Sequence, residues 1–98
     1  LELEILRIIE ANPNLTQREM AKDLGMSLGK TNYLIQALLE KGFVMVDNFR
    51  TSDNKLGYLY LLTPKGIEIK RKLTILFLQR KSEEFDKLKK EMDRIKNL

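Results

Sequence analysis

The sequence predicts a mainly α-helical chain with one small β-hairpin, and three observations support this. Hydroxyl side chains at Thr16, Ser27 and Thr63 stand where helices would begin, and Gly25 and Gly42 stand where helices would stop. After Gly42 the apolar spacing changes from the helical period to that of strands. Beyond Pro64, no breaker other than Gly66 interrupts about 34 residues.

The first helix is expected over Glu2 to Ala11. Leu1, Ile5, Ile8, Ile9 and Asn12 fall on one face at the 3.6 period, with Glu4, Arg7 and Glu10 opposite. Asn12-Pro13-Asn14 ends it, because a residue before proline is pushed out of the helical region. Thr16 with Glu19 forms a capping box for a short second helix, whose apolar face is Met20, Ala21 and Leu24. Ser27 caps a third helix, expected from Leu28 to Lys41. Its buried stripe is Leu28, Thr31, Leu34, Ile35, Leu38 and Leu39, and Gly29, Lys30, Tyr33, Gln36, Ala37 and Glu40 lie on the far side. Two helices joined by a tight glycine-containing turn make a helix-turn-helix.

Residues 43–49 and 57–62 read as two strands joined by a polar loop, Arg50 to Lys55. Thr63-Pro64 opens the last helix, with proline at its first position. At 1.5 Å per residue that helix is about 50 Å long, whereas a compact unit of the preceding residues is only ~25 Å across. It must therefore project. The architecture is a winged helix-turn-helix over residues 1–62, followed by a long helix over residues 63–98.

Composition excludes several functions. The 98 residues allow one domain, and 43% hydrophobic content is enough for a small core. With no cysteine and no histidine, the chain has no disulfide, no thiolate nucleophile or Cys-based metal site, and not the commonest metal ligand. No cofactor or metal is expected. The densest carboxylates, Glu83, Glu84, Asp86, Glu91 and Asp93, are spaced to pair with Lys87, Lys90 and Arg94 on a solvated helix face, so no enzyme is expected. No apolar run approaches the ~20 residues of a membrane span. With no signal peptide either, a cytoplasmic location without membrane partners is expected. The chain begins inside a helical pattern without a methionine, so further residues are expected ahead of Leu1.

Three passages resemble the MarR-type transcriptional regulators. They are Leu15 to Ser27, Leu38-Leu39-Glu40-Lys41-Gly42-Phe43-Val44, and Leu61-Leu62-Thr63-Pro64-Lys65-Gly66. The stretch from Asn48-Phe49-Arg50 through Asn54-Lys55-Leu56-Gly57-Tyr58-Leu59-Tyr60 is most similar to the small exopolysaccharide (EPS)-associated group of that family. The resemblance implies a sequence-specific regulator that binds double-stranded DNA, with its recognition helix in the major groove and its wing on the flanking minor groove or backbone.

The resemblance implies DNA contacts at Ser27, Lys30, Asn32 and Tyr33, and the helical wheel separately exposes Lys30, Tyr33 and Gln36. Lys30 suits a phosphate or a guanine edge, Asn32 and Gln36 suit adenine, and Tyr33 suits a phosphate or a thymine methyl. Gly29 would let the backbone approach closely. Thr16 and Gln17, at a helix N-terminus, can offer backbone N–H groups to phosphate. Arg50 and Lys55 flank the wing tip, where basic side chains reach the minor groove or the flanking phosphates. Tyr58, Tyr60 and Phe77 are read as core packing, with a small pocket near the last helix as the other use.

The distal helix repeats by sevens, with Leu78, Phe85 and Met92 at one seam position, Leu88 and Ile95 at the other, and Lys81 interrupting. Such a seam predicts a homodimer bound to a pseudo-palindromic operator. The formal charge of +4 misleads at first sight. Residues 1–62 hold seven basic and eight acidic side chains, so the surplus resides in the long helix. The alternative function is a winged-helix module that binds another protein and no DNA.

Overall fold

The computed structural model describes residues 1–50 and 56–98, the side chains of residues 49, 50, 56 and 57 excepted. Its elements are α1 (Glu2–Ala11), α2 (Gln17–Leu24), α3 (Leu28–Glu40), β1 (Val44–Arg50), β2 (Leu56–Leu62) and α4 (Pro64–Lys96). All the expected elements are present, with bounds within about a residue of expectation.

The helix ends explain themselves. The Thr16 hydroxyl accepts from Glu19 N (3.1 Å), Ser27 from Lys30 N (3.1 Å) and Thr63 from Gly66 N (3.0 Å). Each thereby satisfies a first-turn donor that has no partner inside its helix. Gly25 and Gly42 take the left-handed conformation at φ 64° and 75°. Each lets the next residue donate back into the helix, Met26 N to Ala21 O and Phe43 N to Leu38 O, both at 3.0 Å. The bond to Leu38 uses Phe43 N, which is why β1 starts at Val44 and not at Phe43.

The core joins Ile5, Leu6 and Ile9 of α1, Met20 of α2, Ile35 and Leu38 of α3, and Val44 of β1. Leu6 is fully buried although it lies off the expected face. The reason is that α1 packs against α2, α3, β2 and α4 together, so its covered arc is wider than one stripe. Leu1 and Asn12, at the ends of that arc, are exposed. Leu28 was expected to be buried but is 41% exposed, because it opens α3 at the tight turn, beyond the edge of the core. Thr31 is fully buried, and its hydroxyl is satisfied by Ser27 O at 2.9 Å.

β1 and β2 form an antiparallel ribbon in register from Val44↔Leu62 to Arg50↔Leu56. At the usual rise per residue its length is about 20 Å. Val44 is buried, but Met45, Val46, Asp47 and Asn48 are all exposed, so β1 leaves the core beyond Val44 while Tyr60 and Leu62 of β2 keep the base of the ribbon against it, and the rest stands out as a wing.

α4 is seated at the base of that wing. Thr63 N donates to Phe43 O (3.1 Å), and the Thr63 hydroxyl donates to Gly42 O. Lys65 Nζ donates to Lys41 O at 3.1 Å and lies 5.4 Å from the Phe43 ring centroid. Gly66 is buried here, and a Cβ on it would lie 1.9 Å from Phe43 O. The residue that looked like a mild interruption of the helix is a close-approach site. Ile69 and Leu73 complete the contact with the core. From Ile75 onward every residue is exposed, and the molecule measures 69 × 26 × 23 Å, so α4 projects as its length requires. Tyr60 packs on the core as expected, but Tyr58 (55%) and Phe77 (37%) are exposed, so the core packing expected of all three holds for Tyr60 alone. No helix among the described residues is long and apolar enough to cross a membrane.

Candidate nucleic-acid interface

α3 presents to solvent the face that its sequence pattern leaves polar. Gly29, Lys30, Asn32, Tyr33 and Gln36 are all exposed, Tyr33 by 73%. Lys30, Tyr33 and Gln36 are three residues apart and so share one face of the first three turns. Gly29 has an ordinary backbone conformation, and a Cβ placed on it would meet nothing within 4 Å. The surface there is open, as a close approach by a ligand would need.

The polar residues beside that face have a second task. Asn32 Nδ2 donates to Gln17 Oε1 (2.9 Å), and Gln17 Nε2 donates to the Tyr60 hydroxyl (2.8 Å). This relay runs from α3 through α2 to β2 and ties α3, α2 and the wing together. Tyr60 N also donates to Pro13 O at 3.3 Å, which holds the α1–α2 connection against the wing. Both polar groups of the Gln17 side-chain amide are engaged inside the protein, so what it offers a ligand is its backbone N–H. The Thr16 hydroxyl is likewise engaged: it accepts from Glu19 N and donates to Glu19 Oε1 (3.0 Å). Ser27 is held as the α3 cap.

The relay was not legible in the sequence, because an amide's partner depends on which elements the fold brings together. A signal was nonetheless present. Tyr60 belongs to the same ribbon face as Val44 and Leu62, and a half-buried phenol needs a partner for its hydroxyl.

At the wing, Arg50 pairs in backbone register with Leu56 at the end of the ribbon away from the core. Lys55 lies outside the described residues. Among the described residues, no cluster of acidic side chains suits a metal ion. On α4, Arg71 donates to both carboxylate oxygens of Glu68 (2.7 and 3.2 Å), and these bonds hold the Glu68 carboxyl below the usual carboxylate range. The seam residues Leu78, Phe85, Leu88, Met92 and Ile95 are exposed along the projecting helix.

Comparison with known proteins agrees with this geometry. Residues 1–45 match a family described as "Winged helix-turn-helix DNA-binding". No curated protein sequence matches the chain. Among solved structures, Streptococcus pneumoniae FabT in complex with DNA is similar at 25% identity and TM-score 0.60, over 86% of this chain and 57% of FabT. Staphylococcus aureus MarR in complex with salicylate and kanamycin is similar at 24% identity and TM-score 0.59, over 85% of this chain and 55% of that one. The PcaV transcriptional regulator of Streptomyces coelicolor is similar at 21% identity and TM-score 0.60, over 94% of this chain and 72% of PcaV. The chain thus spans little more than half the length of the first two. It has the winged helix-turn-helix fold of these MarR-type regulators.

Proposed function

We propose that this protein is a transcriptional regulator that binds a pseudo-palindromic double-stranded DNA site as a homodimer. The observation that carries this reading is the open face of α3, with Gly29, Lys30, Tyr33 and Gln36 exposed beside a projecting ribbon. α3 enters the major groove, which admits one helix, and Lys30, Tyr33 and Gln36 meet base edges or phosphates. Asn32 reaches the groove edge while it holds Gln17. Ser27 and the N-terminal N–H groups at Thr16 and Gln17 lie against phosphates. Arg50 and Lys55 extend the contact to the flanking minor groove. Two copies place their recognition helices about one DNA turn, ~34 Å, apart. The likeness to FabT, which was solved in complex with DNA, supports the partner class. Such work belongs where the DNA is, in the cytoplasm. The kinship with the EPS-associated group rests on the wing sequence from Asn48 to Tyr60.

One observation favours a second reading. Residues 1–62 carry no net positive charge, which suits a module that docks on protein as well as one that docks on DNA. Selection of bound sites from a random duplex pool, followed by mobility shift, decides between them. The DNA reading expects an enriched palindrome and affinity that falls steeply with salt. No retained duplex at low salt would overturn it in favour of the protein-binding module.

A further inference from the structure

The projecting helix carries more than an apolar seam, because the positions flanking the seam are charged in a pattern that depends on orientation. The seam runs through Ile67, Arg71, Thr74, Leu78, Lys81, Phe85, Leu88, Met92 and Ile95 at alternating steps of three and four. Its apolar members are each at least half exposed. It lies roughly 120° around the helix from Gly66, Ile69 and Leu73, which face the chain's own domain. Even Ile67, beside the domain, is 54% exposed. The seam is therefore a separate surface that the described residues do not cover.

Its polar members are already satisfied within the helix. The Thr74 hydroxyl donates to Lys70 O (2.7 Å), Arg71 pairs with Glu68 (2.7 Å) and Lys81 pairs with Glu84 (3.2 Å). On one flank of the distal seam stand Glu84 and Glu91, and on the other Lys89 and Lys96. In a parallel in-register pair, each flank meets the opposite flank of the other helix five residues on. Glu84 then meets Lys89, and Glu91 meets Lys96, on both sides of the pair. In an antiparallel pair like flanks meet, and glutamate faces glutamate while lysine faces lysine.

We propose that α4 pairs with α4 of a second copy as a parallel, in-register coiled coil, held by the seam and by four Glu–Lys contacts between copies. This rests on the homodimer reading above and adds its orientation, register and charge code. Both winged domains then lie at the same end of the coil.

These 98 residues contain no cysteine, which makes a cross-linking test on them clean. Met92→Cys under a mild oxidant such as oxidised glutathione is expected to give a covalent dimer, because the same seam position meets itself across a parallel pair. Glu84→Lys with Glu91→Lys is expected to weaken dimerisation by at least about tenfold in sedimentation, since four attractions become repulsions. Adding Lys89→Glu and Lys96→Glu is expected to restore it. A dimer that persists in sedimentation, with no Met92→Cys cross-link and no response to the glutamate reversal, would overturn the parallel arrangement while sparing the homodimer. A native chain that stays monomeric at tens of micromolar would overturn both.

Discussion

The Tyr60 hydroxyl accepts a hydrogen bond from Gln17 Nε2 at 2.8 Å, across 43 residues of sequence, and the same Gln17 amide receives Asn32 at its oxygen. The wing strand β2 and helix α3 are thus positioned by one side chain of α2, the helix between them. Tyr60→Phe keeps the ring in the core and removes the acceptor. The expected cost is about 1 kcal/mol of stability, the usual loss for one part-buried hydrogen bond, read in thermal melts. DNA affinity is expected to fall several-fold with the fold intact, read by fluorescence anisotropy.

Lys30→Ala, Tyr33→Ala and Arg50→Ala together are expected to abolish specific DNA binding. Stability should stay within about 0.5 kcal/mol of wild type, because Lys30 and Tyr33 are solvent-exposed and Arg50 ends an edge of the ribbon. If Lys30 and Arg50 each neutralise one phosphate, the slope of log affinity against log salt falls by about two per protomer. Undiminished affinity in this triple variant would remove the proposed surface.

Gly29→Ala separates folding from binding. Among the described residues the added methyl meets nothing within 4 Å, and alanine is the better helix former, so stability is expected to rise by about 0.5–1 kcal/mol. DNA binding is expected to weaken, because the methyl stands where the backbone would approach the groove. Unchanged or tighter binding in the same titration would show that the backbone does not come close there.

Gly66→Ala is expected to act in the opposite sense. A Cβ at 1.9 Å from Phe43 O forces α4 off the base of the wing, at a cost on the order of 3 kcal/mol in denaturant melts. A melt indistinguishable from wild type would contradict the seating of α4 described above.

A cut after Leu76 spares Leu73, which packs on the core, and removes the distal seam. The shortened chain is expected to fold as a monomer and to bind a palindromic site more weakly than the full chain. Light scattering and mobility shift check the two outcomes separately.

Much of this was legible in the residues. Thr16, Ser27 and Thr63 announce the starts of α2, α3 and α4 by local chemistry, Gly25 and Gly42 announce helix stops, and the apolar period with Pro13 marks α1, so the helices and their order needed no tertiary information. The exposed face of α3 follows from period alone. A wheel assigns one stripe to each helix, so it omits Leu6 from the core and includes Leu28, whereas α1 is covered from several sides and the first turn of α3 overhangs the core. The double engagement of Gln17 and the tight seat of Gly66 lay beyond sequence reasoning, since both depend on which backbone comes to lie beside them.

The seat of Gly66 against Phe43 makes α4 and the wing a single stiff piece, with the helix as a lever. Over a helix of about 50 Å, a tilt of about 5° at the wing base moves the far end by about 4 Å. The reverse also holds. If the far ends are clamped to each other, the two recognition helices can change their separation only by bending α4 or breaking its seat. The permitted distance between half-sites would then be narrow, written into the rigidity of one helix and not into the DNA contacts themselves.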